Sequence, residues 1–205
     1  MQYGFYFDNG RCTGCKTCEL ACKDYNDLDT TMLFRKVYDF EGGTWTQAEG
    51  DAWTTTTFSY HVSAGCNHCD APLCMAFCQF DAILRDEDTG IVFIDEELCT
   101  GCEECVGGCP YAVPRFDAEQ QVARKCDGCL KRIKDGKQAI CAESCPLRAL
   151  AFDDIESLRA SYGTVDQIPP LPEPKTNPNL VINASPAVGS PEIAEGYIAN
   201  DLEVA

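Results

Sequence analysis

Cys12-Thr13-Gly14-Cys15-Lys16-Thr17-Cys18-Glu19-Leu20-Ala21-Cys22 decides how this sequence is read, because the pattern returns. Residues 99–110 run Cys99-Thr100-Gly101-Cys102-Glu103-Glu104-Cys105-Val106-Gly107-Gly108-Cys109-Pro110, again C-x₂-C-x₂-C-x₃-C. Cys66, Cys69, Cys74 and Cys78 repeat it with the middle gap widened, and Cys126, Cys129, Cys141 and Cys145 widen it further through Leu130–Ile140. One four-cysteine device, used four times, is the internal repeat of the chain.

This is the spacing of the cubane-binding run of bacterial ferredoxins. Three thiolates close in sequence can wrap three corners of a cubane within a tight loop. The fourth lies about one helical turn on, points out of that loop, and ligates a neighbouring cluster. Each cluster therefore takes three ligands from one quartet and one from another. The 16 cysteines of the chain match the corners of four [4Fe-4S] clusters and leave no iron open for catalysis at a cluster. Gly14, Gly101 and Gly128 stand at one position of three C-x-G-C turns, where glycine accepts positive φ and lets N–H groups approach sulfur. The second quartet has Asn67-His68 there. His68 is read as an ordinary packed or solvated histidine, with tuning of its cluster as the other reading, and His61 as structural.

Competing uses of cysteine fit less well. Disulfide frameworks scatter their cysteines, and the opening Met1-Gln2-Tyr3-Gly4-Phe5-Tyr6-Phe7 alternates like a strand rather than reading as a secretory leader. A Cys₄ zinc site needs two C-x₂-C knuckles and no further C-x₃-C step. Redox C-x₂-C pairs do not come in quartets, and no pair here is followed by the histidine of a c-type haem site.

The chain has 205 residues, 10% aromatics and a formal charge of −17. So small an aromatic core needs metal to support it, and the acidity argues against nucleic acid, whose phosphates select Lys and Arg. Four oxidised clusters would bring the total to roughly −25, so a partner with a basic docking face is expected. No stretch approaches the ~20 apolar residues of a membrane span, so any membrane connection comes through a partner.

Tyr3–Phe7, Phe58–Val62 and Ile91–Asp95 read as strands, with a hairpin turning at residues 86–90 between Ile83-Leu84 and Ile91. Helices are expected from after Cys15 to about Tyr25 and over Asp154–Tyr162, the latter capped by Asp153 or Asp154 and stopped at Gly163. The expected fold class is α+β, with two bacterial-ferredoxin-like units of two clusters each. The close second and third quartets suggest an inner unit at residues 58–117, inserted in an outer unit of residues 1–57 and 118–167. Pairing the first quartet with the second, and the third with the fourth, also satisfies the chemistry.

Residues 24–57 form an insertion whose Trp45 and Trp53 are expected to be buried in a folded-over loop, with partner contact as the other reading. Arg124, Lys125, Lys131, Arg132, Lys134 and Lys137 are read as a solvated face, against a docking patch or charge that raises a nearby cluster's potential. From Ile168 the frequent prolines predict an extended tail, residues 168–205, laid over a partner.

The residues also resemble a known family: the iron–sulfur (electron-transfer, beta) subunits of the dimethyl sulfoxide reductase family of molybdopterin oxidoreductases. The resemblance is carried by Gln2-Tyr3-Gly4-Phe5, by Arg11 through Tyr25, and by Cys66-Asn67-His68-Cys69. Cys126-Asp127-Gly128-Cys129, Glu143-Ser144-Cys145-Pro146-Leu147-Arg148-Ala149-Leu150 and the Pro-rich ending carry it too. It implies one cluster on Cys12, Cys15, Cys18 and Cys145, and a second on Cys22, Cys126, Cys129 and Cys141. It implies a third on Cys66, Cys69, Cys74 and Cys109, and a fourth on Cys78, Cys99, Cys102 and Cys105. It further implies a subunit with no catalytic site of its own. Such a subunit relays electrons between a membrane quinol-linked subunit, or another donor, and a molybdenum (or tungsten) bis-pterin catalytic subunit. The outer cluster pair would face the catalytic subunit. Export of the folded complex to the extracytoplasmic face is implied, with a cytoplasmic location as the alternative. Gln79 stands where the family usually has Pro, which leaves the partner's substrate open. Formate dehydrogenases, polysulfide reductases and aromatic hydroxyl-transfer enzymes share this build, and a free polyferredoxin carrier is the competing function.

Overall fold

Tyr3–Asp8, apolar at nearly every position, is the strand on which the molecule is assembled. In the computed structural model, which describes residues 1–204, it lies between two others. Leu150–Asp154 runs antiparallel to it with Phe5 opposite Phe152, and Leu180–Asn183 runs parallel with Phe5 opposite Leu180. Successive side chains leave a strand on opposite faces, and here both faces are covered. Phe5 and Phe7 join Leu150, Phe152 and Ile182 in the main core, while Tyr6 packs with Ile155, Leu158 and Val181 beneath the helix Ile155–Tyr162. The Phe5 and Phe152 rings are 4.3 Å apart, and Tyr6 stacks on Tyr162 at 3.9 Å. At Gly4 a Cβ would stand 2.6 Å from both the Asn179 carbonyl oxygen and Ile155 Cδ1, so only glycine lets the strand and its cover meet. The helix begins as its sequence suggests. Asp154 Oδ2 accepts the Ser157 N–H at 3.1 Å, and Gly163 ends it at φ 92°.

Lys36–Gly42 and Phe58–Ala64 form a second antiparallel sheet, with Phe40 opposite Tyr60. Phe58–Ala64 therefore pairs with the strand that follows the first quartet, and a division at residue 58 cuts through this sheet. Between the two strands, Trp45–Gln47 and Trp53–Thr55 make a hairpin exposed along its length. The expectation that its tryptophans are buried is not met: Trp45 is 63% and Trp53 58% exposed.

The tail departs furthest from expectation. Residues 168–204 fold back over their own chain. Ile168, Leu171, Thr176, Asn179, Val181 and Val204 are buried, and Tyr197–Ile198 add to the edge of Lys36–Gly42. Between Pro178 and Pro186 the tail has no proline, and Leu180-Val181-Ile182 there is a β-favouring run that needs only one open edge to pair with. Upstream of it the tail lies along the second quartet's loop. The Asp70 N–H donates to the Asn177 carbonyl at 2.9 Å, and the Asn179 N–H to the Asn67 carbonyl at 3.1 Å.

Each quartet ends on a short helix: Thr17–Tyr25, Leu73–Ala76, Glu104–Gly108 and Ile140–Glu143. The first of these packs against the fourth, and the second against the third. Two hairpins, Ile83–Arg85 with Val92–Ile94 and Arg115–Asp117 with Val122–Arg124, flank the second pair. The secondary structure is mixed α/β, as expected.

Candidate metal centres

All four C-x₂-C turns share one backbone device. The residue before the second cysteine is left-handed in each: Gly14 at φ 66°, His68 at 44°, Gly101 at 72° and Gly128 at 63°. Such a turn brings backbone N–H groups around toward sulfur, and the Gly128 N–H donates to Cys126 Sγ at 3.4 Å. Space enforces glycine at two of them. A Cβ on Gly14 would meet the His61 ring at 2.5 Å, and one on Gly101 would meet the Gln121 carbonyl oxygen at 2.4 Å. His61, held by Asp39 at 2.8 Å, is the wall against which the first loop closes, in keeping with a structural role.

The turns and helices gather the thiols across quartets. Cys12, Cys15, Cys18 and Cys145 line one cavity, together with Phe7, Val37 and Leu150. Cys66, Cys69, Cys74 and Cys109 line a second, with Val92 and Val113. Cys78, Cys99, Cys102 and Cys105 line a third, with Phe80, Ile83 and Ile94. Cys22, Cys126, Cys129 and Cys141 stand close enough that their charges act on one another. A further cavity lies around Arg35 between Phe5, Val62 and Leu171, with no cysteine in its lining.

All sixteen cysteines are free thiols. Among the described residues, no three His, Cys, Asp or Glu side chains converge tightly enough to grip a single ion. Thiols that ring an apolar cavity suit a polyatomic cluster better than zinc, which draws its ligands to ~2.3 Å from one point. Sulfur also receives the donors a ligating thiolate needs. The Ala123 N–H reaches Cys99 Sγ at 3.3 Å, the Ala149 N–H reaches Cys145 Sγ at 3.3 Å, and Thr176 Oγ1 lies 3.1 Å from Cys69 Sγ. Burial pushes the thiols of Cys22, Cys69 and Cys74 up to about 12 and those of Cys12, Cys105 and Cys129 up to about 11. Left to itself the protein would keep these groups protonated, so only the positive charge of bound iron makes them thiolates.

Cys66 is the exception. Burial pushes it up, but the facing charges of His68 and Lys125 win and hold it at about 5. Lys125 is buried, so the Arg124–Lys137 run is not uniformly a solvated face. Other members of the run are paired: Arg124 with Glu96 and Asp117, Arg132 with Glu143, and Lys134 with Asp86. His68 is fully buried, as a packed histidine would be, and its Nε2 lies 3.9 Å from Cys126 Sγ.

Arg35 carries no signal in the sequence. It is buried over the Phe5 ring at 4.4 Å and donates to Ser63 Oγ at 3.1 Å, and that hydroxyl lies 3.3 Å from Cys18 Sγ. Burial disfavours its charge, but the surrounding Cys141, Cys18, Cys126 and Cys22 thiols more than offset this. Nothing in Met32-Leu33-Phe34-Arg35 points to such a role. Thr176 is equally silent, since it reaches Cys69 from more than a hundred residues away.

The 4Fe-4S dicluster domain family matches residues 57–155, the segment that holds the second, third and fourth quartets. The sequence is 48% identical over 204 residues to YnfG of Escherichia coli (strain K12), a probable anaerobic dimethyl sulfoxide reductase subunit, covering 99% of this protein and 98% of that one. It is 47% identical over 204 residues to the B subunit of the anaerobic dimethyl sulfoxide reductase of Haemophilus influenzae, covering 99% of each. More distantly, 159 residues are 32% identical to the formate dehydrogenase-O iron–sulfur subunit of E. coli, covering 72% of this protein and 52% of that one. Full-length similarity at this level, in a molecule that brings its cysteines together across quartets, has one reading: the protein belongs to the family of electron-transferring iron–sulfur subunits of dimethyl sulfoxide reductase-type molybdopterin oxidoreductases.

Proposed function

We propose that this protein carries single electrons through four [4Fe-4S] clusters to a molybdenum bis-pterin catalytic subunit, from a quinol-linked membrane subunit. The thiols gathered across quartets carry this reading. Cys12, Cys15, Cys18 and Cys145 would hold the first cluster, and Cys22, Cys126, Cys129 and Cys141 the second. Cys66, Cys69, Cys74 and Cys109 would hold the third, and Cys78, Cys99, Cys102 and Cys105 the fourth. The molecule is then two nested ferredoxin-like units: one built on the first and fourth quartets, the other on the second and third. When bound, each cubane accepts and releases one electron. The residues around it bury the ligating sulfurs, donate N–H and O–H groups to them, and keep water from the path.

The ends of the row are the two places where thiols reach the surface. Cys15 and Cys102 are exposed, while Cys22, Cys66, Cys69, Cys126, Cys129 and Cys141 are buried. Apolar side chains stand open beside each end: Leu147 lines the Cys15 cavity and Phe80 lines the Cys102 cavity. The end at Cys15 faces the catalytic subunit and the end at Cys102 the membrane subunit. The protein itself does no bond chemistry. The folded-back tail does not argue against a free carrier; the open apolar residues at both ends and the kinship with complex subunits do. Among the described residues no helix is long and apolar enough to cross a membrane, so membrane association runs through the partner, on the extracytoplasmic face after export of the folded complex. The relatives' names point to an S-oxide as the partner's substrate.

Iron and acid-labile sulfide analysis of the anaerobically purified complex tests this reading. About sixteen irons on this subunit, with interacting four-iron signals on reduction, are expected. A count near eight overturns it.

A further inference from the structure

Lys125 is an amine buried where two quartets meet. Its three N–H bonds have three acceptors: Cys66 Sγ at 3.6 Å, the Cys126 carbonyl at 2.8 Å, and the Val92 carbonyl. None of the ion pairs among the described residues includes it. Its neighbour in sequence is Cys126 of the fourth quartet, but the sulfur it reaches is Cys66 of the second.

His68 makes the opposite crossing. It sits in the loop of Cys66 and Cys69, yet its Nε2 faces Cys126 Sγ at 3.9 Å. The Val92 N–H donates to Nδ1 at 3.2 Å, and a backbone N–H can only donate. Nδ1 also lies 3.1 Å from the Val92 carbonyl, so the backbone of that residue brackets it, and Nε2 is the ring nitrogen turned toward sulfur. One residue's backbone therefore sets both side chains, the Val92 N–H orienting the imidazole and the Val92 carbonyl receiving the ammonium. The ring is fully buried, and its backbone holds a positive φ that the other three loops give to glycine.

We propose that Lys125 and His68 form a reciprocal link between the two units of the relay. In it the Lys125 charge raises the reduction potentials of the Cys66 and Cys126 clusters together, and the His68 N–H orients and donates to the Cys126 thiolate. The inference rests on the four-cluster reading. A fixed positive charge in a poorly polarisable interior stabilises the more negative, reduced state of any cluster near it. Contact with one cluster's sulfur and the other cluster's ligand backbone spreads that effect over both. Among the described residues, no lysine or arginine lines the cavity of Cys78, Cys99, Cys102 and Cys105, so the outermost inner cluster lacks such support. Arg35 reaches Cys18 through Ser63, a contact that the Lys125 variants leave in place.

The test is an EPR-monitored redox titration of the purified complex with Lys125→Met, Lys125→Gln and Lys125→Arg, with iron counted on each. Gln keeps donors for the two carbonyls but has no charge. With wild-type iron, both neutral variants should move two of the four potentials negative and leave two in place, and Arg should restore them. His68→Gln should move one potential only. If both neutral variants lose iron from these two clusters alone and Arg retains it, the shared charge also stands. Unmoved potentials at full iron content, a uniform shift of all four, or losses that Arg does not rescue overturn the proposal. A wild-type count well below sixteen would instead sink the four-cluster reading, so the two failures are distinct.

Discussion

The surroundings of the first and fourth quartets differ from those of the second and third in what holds them up. The first and fourth back onto a core that contains Phe5, Phe7, Phe152, Ile182, Phe40 and Tyr60 from two sheets, closed on one side by the folded-back tail. Around the second and third, one apolar cluster is only Cys74, Ile83, Val92, Cys105 and Ala123, and the other, shared with Cys22 and Cys126 of the first and fourth, sets Met32, Phe34 and Val113 beside Cys66. Two-strand hairpins are marginal alone. The first region carries an apolar core of its own, whereas the second lacks one and depends on metal for cohesion. The same device thus serves as a cofactor site in one region and as the structural core in the other.

Taking the metal away tests this division hardest. Anaerobic chelation should release the second and third quartets first. In hydrogen exchange, amides of Ile83–Arg85 and Val92–Ile94 should lose protection, while Tyr3–Asp8 and Leu150–Asp154 retain much of theirs. Simultaneous loss across both regions would mean that the sheet core does not stand apart from the clusters.

Next in size is Phe152→Ala. Phe152 is fully buried against Phe5, with the His68 ring 5.9 Å away. Removing it should cost about 3–5 kcal/mol in denaturant unfolding of the metal-loaded protein. Iron content should be unchanged under native conditions. A cost below about 1 kcal/mol would show that iron–sulfur bonds, not this core, set stability in both regions.

What the sequence disclosed follows the same division. Cysteine spacing is local, so the quartets, the turns at Gly14, Gly101 and Gly128 and the strands beside them could be read directly. The capped helix Ile155–Tyr162 was legible too, since its Asp and Gly signals lie within a few residues. Contacts made at long separation were not. Leu180–Asn183 completes a sheet begun at Tyr3, and proline frequency in residues 169–178 masked the β-forming run after it. Lys125 reads as one of six cations within residues 124–137; only the strand Val122–Arg124 that leads into it turns it inward with Ala123, while Arg124 pairs with Asp117. Periodicity cannot show which member of a charge run points in.

The tail offers a smaller test of the join between the regions. Thr176 comes from the segment that leads into the Tyr3–Asp8 sheet, yet its hydroxyl serves Cys69. Thr176→Val keeps the shape and removes the donor. It should cost about 1 kcal/mol of stability and move the potential of the Cys69 cluster negative, because sulfur loses a hydrogen bond that favours added charge. A stability loss with the potential unmoved would leave Thr176 a packing residue only.

The exposed hairpin should matter least to the fold. Trp45 and Trp53 are not cross-strand partners of each other. Trp45 stands opposite Thr55 and Trp53 opposite Gln47, at diagonal positions of an antiparallel pair. Both indoles are more than half exposed, and every residue of the two strands is open to solvent. Tryptophans left open on a projecting arm suit anchors of an interface, since large aromatics dominate binding hot spots. Replacing either with Ser should change the stability of the isolated subunit by no more than about 0.5 kcal/mol, with the cluster potentials at wild-type values. Weakened assembly with the catalytic or membrane subunit, read by co-purification or analytical ultracentrifugation, is the expected consequence. A destabilised but fully assembling variant would instead mean that the hairpin braces the outer sheets, placing it with the core rather than with the docking surface.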